Sequence, residues 1–133
     1  MPSSKKDEVL KCPCGTGLAY EACCAPYVLN ELPAPTAEKL MRSRYCAFAL
    51  GEEGYLLASW HAKTRPSRVR IDPEQKWIGL SIKSTEAGGA ADSKGIVEFV
   101  ARFKVAGKGH RLHERSRFEK IEGRWYYLEG DHL

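Results

Sequence analysis

The sequence predicts an α+β protein in which helices cover one face of a curved antiparallel sheet, behind an N-terminal zinc-binding module. Four cysteines lie within residues 12–24, apolar residues follow a helical period from 37 to about 60, and the period changes to two from residue 76. Helical segments followed by alternating ones are typical of helices packed on an antiparallel sheet. We predict a module with the start of a linker at 1–30 and an α+β domain at 31–133.

Composition restricts the class of protein. The chain has 133 residues, of which 43% are hydrophobic and 29% charged, as expected of a folded domain with a core. No apolar stretch reaches the roughly 20 residues of a membrane-spanning helix, and residues 1–11 lack the apolar segment of a signal peptide. We therefore expect a cytoplasmic protein with no membrane partner and with reduced cysteines.

Residues 12–24 read CPCGTGLAYEACC and supply the candidate metal ligands. A Cys-x-Cys pair followed by Cys-Cys places four thiolates on a loop short enough to surround one ion, and Gly15 and Gly17 suit its tight turns. Two disulfides or free core thiols are the alternatives, which a reducing compartment disfavours. We predict one structural zinc ion per chain, whose loss would disturb the module and leave the domain folded. The predicted ligands are Cys12, Cys14, Cys23 and Cys24.

Two helices are predicted after a proline-bearing linker. Thr36 suits the N-cap of a helix over Ala37–Leu50, and Gly51 suits its end. A shorter helix is predicted from Glu52 to Trp60, before an irregular region that has room for one further helical turn.

Alternating apolar residues predict four strands joined largely by hairpins. A β-turn centred on Gly107 and Lys108 would place Ala101 opposite Glu114. The predicted strands are Trp77–Lys83, Ile96–Val105, His110–Ile121 and Arg124–Glu129.

The cysteine segment resembles the SEC-C zinc motif, best known from the tail of the preprotein translocase motor ATPase, where it binds zinc and docks an export chaperone. The resemblance implies zinc ligation by the same four cysteines. The lysines that flank the tyrosine in that motif are absent from this chain, so the resemblance does not imply chaperone docking. In this chain, the positions of those lysines are occupied by Leu18, Ala19, Glu21 and Ala22.

The remaining chain resembles the cystatin-like cone of nuclear transport factor 2-like domains. As a whole the sequence is similar to the YchJ-type family, uncharacterised bacterial proteins of unassigned activity that join a SEC-C motif to such a domain. The resemblance implies a curved sheet around a cone-shaped interior and specifies no activity. The segments that carry it include LMRSRYCAF (40–48), WIGL (77–80), FVARF (99–103), ERSRF (114–118) and WYY (125–127).

A buried arginine is predicted beneath the helices. Helical phase places Arg44 on the core-facing side of the first long helix, and hairpin register points Glu114 inward. Because a buried guanidinium needs a carboxylate or carbonyl partner, we predict that these two residues pair. The pair either fixes the packing of helix on sheet or lines a pocket. Cys46 is expected on the far side of the helix, as a half-buried thiol away from the metal. The candidate pocket residues are Arg44, Trp60, His61, Glu114 and Ser116.

The opposite face of the second hairpin is basic. It is either a solvated surface or a contact surface for an anionic partner, since the chain carries a net charge of +4. The aromatic residues that stack single-stranded bases are missing from this face, so a protein partner is favoured over nucleic acid. Its members are Arg102, Lys104, Arg111, Arg115 and Arg117.

These observations favour a zinc-stabilised binding or adaptor protein that engages another protein. The alternative is a small-molecule enzyme or ligand-binding protein that uses the cone pocket. The sequence shows no nucleophile–base pair, no phosphate-binding glycine loop and no open metal triad, which favours binding over catalysis. A deep pocket with ionisable walls would favour the small-molecule function, and a filled interior would favour the adaptor.

Overall fold

The computed structural model describes residues 10–29 and 32–133, and these confirm the predicted α+β class. The sheet has the order β1-β2-β3-β4 and is antiparallel throughout. No helix in the described ranges is long and apolar enough to cross a membrane. The helices are α1 (Ala25–Val28), α2 (Ala37–Leu50) and α3 (Glu53–Ala58), and the strands are β1 (Gln75–Ala87), β2 (Lys94–Val105), β3 (Lys108–Ile121) and β4 (Arg124–His132).

The bounds of α2 coincide with the predicted bounds because both caps are explicit in the sequence. Thr36 Oγ1 accepts a hydrogen bond from the Lys39 amide at 3.1 Å, which satisfies one of the free amides of the first turn. Gly51 ends the helix with φ 80°, and its amide bonds to the carbonyl of Ala47. Helix α3 is shorter than predicted, and the described residues between α3 and β1 contain a single α-turn, in which the Arg65 amide donates to the His61 carbonyl at 2.9 Å.

The start of α2 rests directly on the connection between β1 and β2. The Ala37 amide donates to the Gly88 carbonyl at 2.9 Å, and a Cβ at position 88 would lie only 2.9 Å from the Ala37 Cβ. Gly88 also has φ +82°, which favours glycine. This close approach fixes one end of the helix against the sheet.

The β2–β3 hairpin has a tighter turn than the sequence suggests. Ala106 and Gly107 form a two-residue turn with φ 52° and 81°, as in a type I′ turn. Glu114 therefore lies opposite Phe99, two positions away from its predicted partner Ala101. The predicted pairing was wrong because a non-glycine residue adopts positive φ in this turn. A shift of two residues leaves every side chain on its predicted face, so Glu114 still points inward.

Helix α2 lies between two layers and is buried on both sides. One side packs on the sheet, and the other contacts the cysteine module, where Arg42 Nη1 donates to the Cys14 carbonyl at 2.9 Å. The module and the sheet residues form one continuous core cluster. Helix α1 occupies the start of the predicted linker, and the predicted boundary between residues 30 and 31 lies outside the described residues.

Candidate metal centre and cone cavity

The cysteine module is a compact loop that brings its two cysteine pairs together. Gly15 and Gly17 have φ +90° and +87°, which confirms the predicted tight turns. The Cys12 amide donates to the Leu18 carbonyl at 2.8 Å and closes the loop. The Cys-Cys pair follows a 3-10 turn over Tyr20–Ala22 and leads into α1.

The four predicted ligand sulfurs converge in the interior. All four cysteines are buried, and their Sγ atoms lie within 4.8 Å of one another. The sulfurs of Cys14 and Cys23 are 3.6 Å apart, and those of Cys23 and Cys24 are 3.9 Å apart. Tetrahedral zinc with Zn–S bonds of about 2.3 Å separates its sulfurs by about 3.8 Å. The donor set therefore fits one zinc ion, in number, chemistry and spacing.

Two further residues support the cysteines, and the sequence analysis missed both. Thr16 Oγ1 lies 3.1 Å from the Cys23 sulfur and 3.9 Å from the Cys14 sulfur, as a hydroxyl that steadies thiolate ligands would. Arg42 holds the Cys14 carbonyl from the helix side. Thiol hydrogen bonds from Cys24 and Cys46 lower the pKa of the Cys14 thiol.

Cys46 lies beside this cluster, and its predicted position was wrong. Its side chain is fully buried, and its sulfur is 3.3 Å from the Cys12 sulfur. The hydrogen bond that it shares with Cys14 raises the pKa of the Cys46 thiol. Helical phase correctly predicted that Cys46 faces away from the sheet, but the module covers that side of α2. Cys46 is not among the four mutually close sulfurs.

A cavity of about 270 Å³ lies between α2 and the inner face of the sheet. Four of the five predicted pocket residues are on its wall, namely Arg44, Trp60, Glu114 and Ser116. The rest of its wall is mostly apolar and aromatic. These further residues are Met41, Tyr45, Phe48, Trp77, Phe99, Ala101, Leu112 and Tyr127.

Arg44 is buried as predicted, but it does not form the predicted ion pair with Glu114. Its Nη1 donates to the Leu56 carbonyl at 2.8 Å and to Ser59 Oγ at 2.6 Å. The carbonyl at the end of α3 is closer than any carboxylate, which sequence phase cannot reveal. Burial lowers the pKa of Arg44 to about 10, so the side chain remains a cation at neutral pH. At about 1.4 kcal/mol per pKa unit, burial of this charge costs the fold about 3 kcal/mol.

Two aromatic rings hold the Arg44 guanidinium. Its central carbon lies 4.9 Å from the Trp60 ring centroid and 4.6 Å from that of Tyr127. The two rings meet edge to face, with centroids 5.1 Å apart. Such cation–π contacts offset part of the burial cost. The sequence analysis did not identify Tyr127 as a pocket residue, although the WYY segment contains it.

Glu114 forms the second polar part of the wall. It is 9% exposed and accepts hydrogen bonds from Ser116 Oγ at 2.6 Å and from the Tyr127 hydroxyl at 3.3 Å. Burial, and then the charge of Glu114, raise the pKa of Tyr127, which keeps its hydroxyl protonated as a donor. On β4, Gly130 passes so close to the Glu114 carboxylate that a Cβ there would overlap it.

His61 lies outside the cavity wall, so its predicted place there was wrong. Its Nε2 is 3.0 Å from Glu119 Oε1, and its ring packs against Tyr126. Trp60 makes a parallel bridge with Tyr127, and successive residues of extended backbone point to opposite sides. With the Trp60 ring on the cavity side, His61 faces away from it.

The predicted basic face is divided by its acidic neighbours. Arg115 pairs with Glu86, and Arg117 lies 2.8 Å from Asp131 and 3.3 Å from Glu129. Within the described ranges, three other cations of this face have no ion pair. They are Arg102, Lys104 and Arg111, and Arg102 lies directly opposite Arg111 across the β2–β3 ladder.

Known proteins match both the sequence and the fold. The family model described as YchJ, middle NTF2-like domain, matches residues 36–130. A UPF0225 protein of Chromobacterium violaceum is 54% identical over 131 residues, which cover 96% of each chain. This chain belongs to the YchJ-type UPF0225 family. A second UPF0225 protein, from Streptomyces coelicolor, is 48% identical over 122 residues, 92% of this YchJ-type chain and 95% of its relative.

Two solved structures share the fold of this YchJ-type chain. The solution structure of a SEC-C motif containing protein from Rhodopseudomonas palustris has a TM-score of 0.81 and 35% identity, over 93% of this chain and 99% of the other. The crystal structure of a SEC-C motif containing protein from Psychrobacter arcticus has a TM-score of 0.75 and 30% identity, over 89% of this chain and 80% of the other. These matches confirm the predicted family and the SEC-C type of the module.

Proposed function

We propose that this YchJ-type protein binds a small molecule in its cone cavity, and that one zinc ion holds the cysteine module against α2. The observation that carries the proposal is the cavity of about 270 Å³ with the ionisable side chains of Arg44 and Glu114 on its wall. A core that served only to support an outer surface would be more stable if its interior were filled. Two costly charges beside open space favour ligand binding over the adaptor function.

The zinc part of the proposal is supported by the donor set. Four buried thiol sulfurs lie at spacings that suit a tetrahedral ion, and Thr16 stands beside two of them. Because protein sulfurs would occupy all four positions, the metal would stabilise the fold and would take no part in chemistry. A cytoplasmic location belongs to the same proposal, because free thiolates persist in a reducing compartment.

The cavity is tested by filling it. A library of neutral and charged single-ring fragments would be screened against the protein by saturation-transfer NMR. Ala101→Leu adds side-chain atoms to the cavity wall, and Ala91→Leu adds the same atoms at an exposed position between β1 and β2. We expect a set of fragments to bind the original protein and Ala91→Leu but not Ala101→Leu, with circular dichroism confirming both folds. Fragments that bind Ala101→Leu equally well, or no binding fragments, would refute the proposal.

A second candidate function rests on the basic face. Arg102 and Arg111 oppose each other without an acid between them, an arrangement that destabilises a sheet and suits contact with an acidic protein surface. Charge reversal at Arg102, Lys104 and Arg111 should release such a partner in a pull-down at low salt. The matched control reverses three exposed cations of the α3–β1 connection, Lys63, Arg65 and Arg68. Equal loss of the partner with both triple variants would mean that net charge alone, and not this face, explains the binding.

A further inference from the structure

Arg44 uses only part of its hydrogen-bonding capacity. Nη1 donates to both of its acceptors, the Leu56 carbonyl and Ser59 Oγ. Among the residues that the structure describes, neither Nε nor Nη2 has an acceptor. These two nitrogens form one edge of the guanidinium fork, the edge that binds a carboxylate through two parallel hydrogen bonds. Arg44 is only 3% exposed, and it lines the cavity.

The indole ring that packs on the Arg44 guanidinium also carries a donor without an acceptor. The indole Nε1 of Trp60 is buried, and no acceptor for it exists in the described part of the chain. The Trp60 ring is the one that contacts the Arg44 guanidinium at 4.9 Å, and it lines the same cavity. Buried donors that lack acceptors are rare, because each has lost its hydrogen bond to water without gaining another. On this wall, Nε and Nη2 of Arg44 are the donors that an acceptor in the cavity can reach, whereas Nε1 of Trp60 has almost no surface open to it.

We propose that the cavity binds a small aromatic monocarboxylate, whose carboxylate contacts the free edge of Arg44. This inference rests on the proposed small-molecule function and names the class of ligand. Among the described residues that line the cavity, Arg44 is the one cation, and a single positive charge can pair with one carboxylate but not with both charges of a phosphate dianion. A single carboxylate matches the geometry of the free edge and the charge of the one arginine.

The remaining walls define the body of the ligand. Trp77, Tyr45 and Phe99 offer aromatic surface, which favours a planar ring. The volume of about 270 Å³ lies just below the roughly 300 Å³ at which ordinary ligand pockets begin, so one ring fits better than a nucleotide.

Glu114 offers the ligand a second polar contact on the cavity wall. Its Oε2 receives the hydrogen bonds of Ser116 and Tyr127, whereas Oε1 has only the exposed His132 at 3.8 Å. That oxygen can accept a hydrogen bond from a hydroxyl or amino group on the ring. The ligand class is therefore an aromatic acid that also carries a hydrogen-bond donor for Glu114.

Three probes of nearly equal size test this assignment by isothermal titration calorimetry. 4-Hydroxyphenylacetate has both groups, phenylacetate lacks the hydroxyl, and 2-(4-hydroxyphenyl)ethanol replaces the carboxylate with an alcohol. We expect 4-hydroxyphenylacetate to bind at least about tenfold more tightly than the alcohol, because only the carboxylate forms the paired contact with arginine. It should also bind more tightly than phenylacetate. Equal affinity for the acid and the alcohol would overturn the inference and leave the proposed function intact.

Variants assign the contacts. Arg44→Gln should remove the preference for the acid over the alcohol, and Glu114→Gln should reduce the preference for the hydroxyl while the acid still binds. Arg65→Gln, on an exposed arginine outside the cavity, is the matched control and should retain both preferences. If Arg44→Gln does not fold, the probe series on the original protein still decides the question. Failure of all three probes, together with neutral fragments that Ala101→Leu does not exclude, would instead refute the cavity as a binding site.

Discussion

Replacement of Arg44 by methionine tests the structure at its most costly point. The substitution removes two hydrogen bonds from a charged donor, worth about 2 kcal/mol each. It also removes contacts with the Trp60 and Tyr127 rings, worth about 1 kcal/mol each. Relief of the burial cost returns about 3 kcal/mol. We therefore expect the free energy of unfolding to fall by about 3 kcal/mol, measured by urea unfolding with far-ultraviolet circular dichroism.

Double-mutant cycles show where that energy resides. Combination with Ser59→Ala should give a coupling energy of about 1–2 kcal/mol, because Arg44 Nη1 lies 2.6 Å from Ser59 Oγ. Combination with Glu114→Gln should give a smaller coupling than with Ser59→Ala, because Glu114 acts on Arg44 only through space and no direct ion pair joins the two side chains. Arg65→Met, on an exposed loop, controls for loss of an arginine and should change stability by less than about 0.5 kcal/mol.

The opposite pattern would refute this reasoning. A strong coupling between Arg44 and Glu114, with a weak coupling to Ser59, would mean that the guanidinium turns toward the sheet. The free donor edge would then be occupied by Glu114, and the proposed carboxylate site would lose its main contact.

Three other predictions follow from contacts described above. Purified protein should contain about one zinc per chain by atomic emission. Cys24→Ser should lower both the zinc content and the melting temperature of the whole domain, because the module packs on α2. An unchanged domain melting temperature would show that the module folds separately. Gly130→Ala should displace the Glu114 carboxylate and destabilise the fold, whereas Gly109→Ala meets open space and should not, as equilibrium unfolding would show. Burial raises the pKa of Tyr45 to about 12, so the stability that Tyr45 contributes is present below pH 10 and is lost as pH rises toward 12; between pH 10 and 12, Tyr45→Phe should therefore lose less stability with rising pH than the original protein, as urea unfolding at each pH would show.

The elements of the fold with local signals could be predicted from the sequence. Thr36 and Gly51 gave the bounds of α2, because capping depends on residues at the helix ends. Alternation assigned the inner and outer faces of β2 and β3, and the two-residue error in their pairing did not change those faces. Spacing alone grouped the four metal-ligand candidates, whose sulfurs lie together in the structure.

The features that the sequence did not predict depend on which layer covers which surface. Cys46 was expected to be half-buried because its phase points away from the sheet, but the module forms a second layer there. Arg44 was paired with Glu114 by phase and register, yet the carbonyl at the end of α3 lies closer. His61 was placed in the pocket because it follows Trp60, whereas extended backbone directs neighbouring side chains to opposite sides.

The consecutive order of the strands has a consequence for folding kinetics. Every strand pairs with its neighbour along the chain, so the sheet can assemble from hairpins with short loops and a small entropy of closure. The cavity, in contrast, needs Arg44 from α2 and Tyr127 from β4, two segments that lie far apart along the chain and meet only in the folded structure. Its walls should therefore meet late, after the barrier to folding has been crossed. A bound ligand would then slow unfolding and leave the folding rate nearly unchanged, so its effect would be seen in the lifetime of the native state.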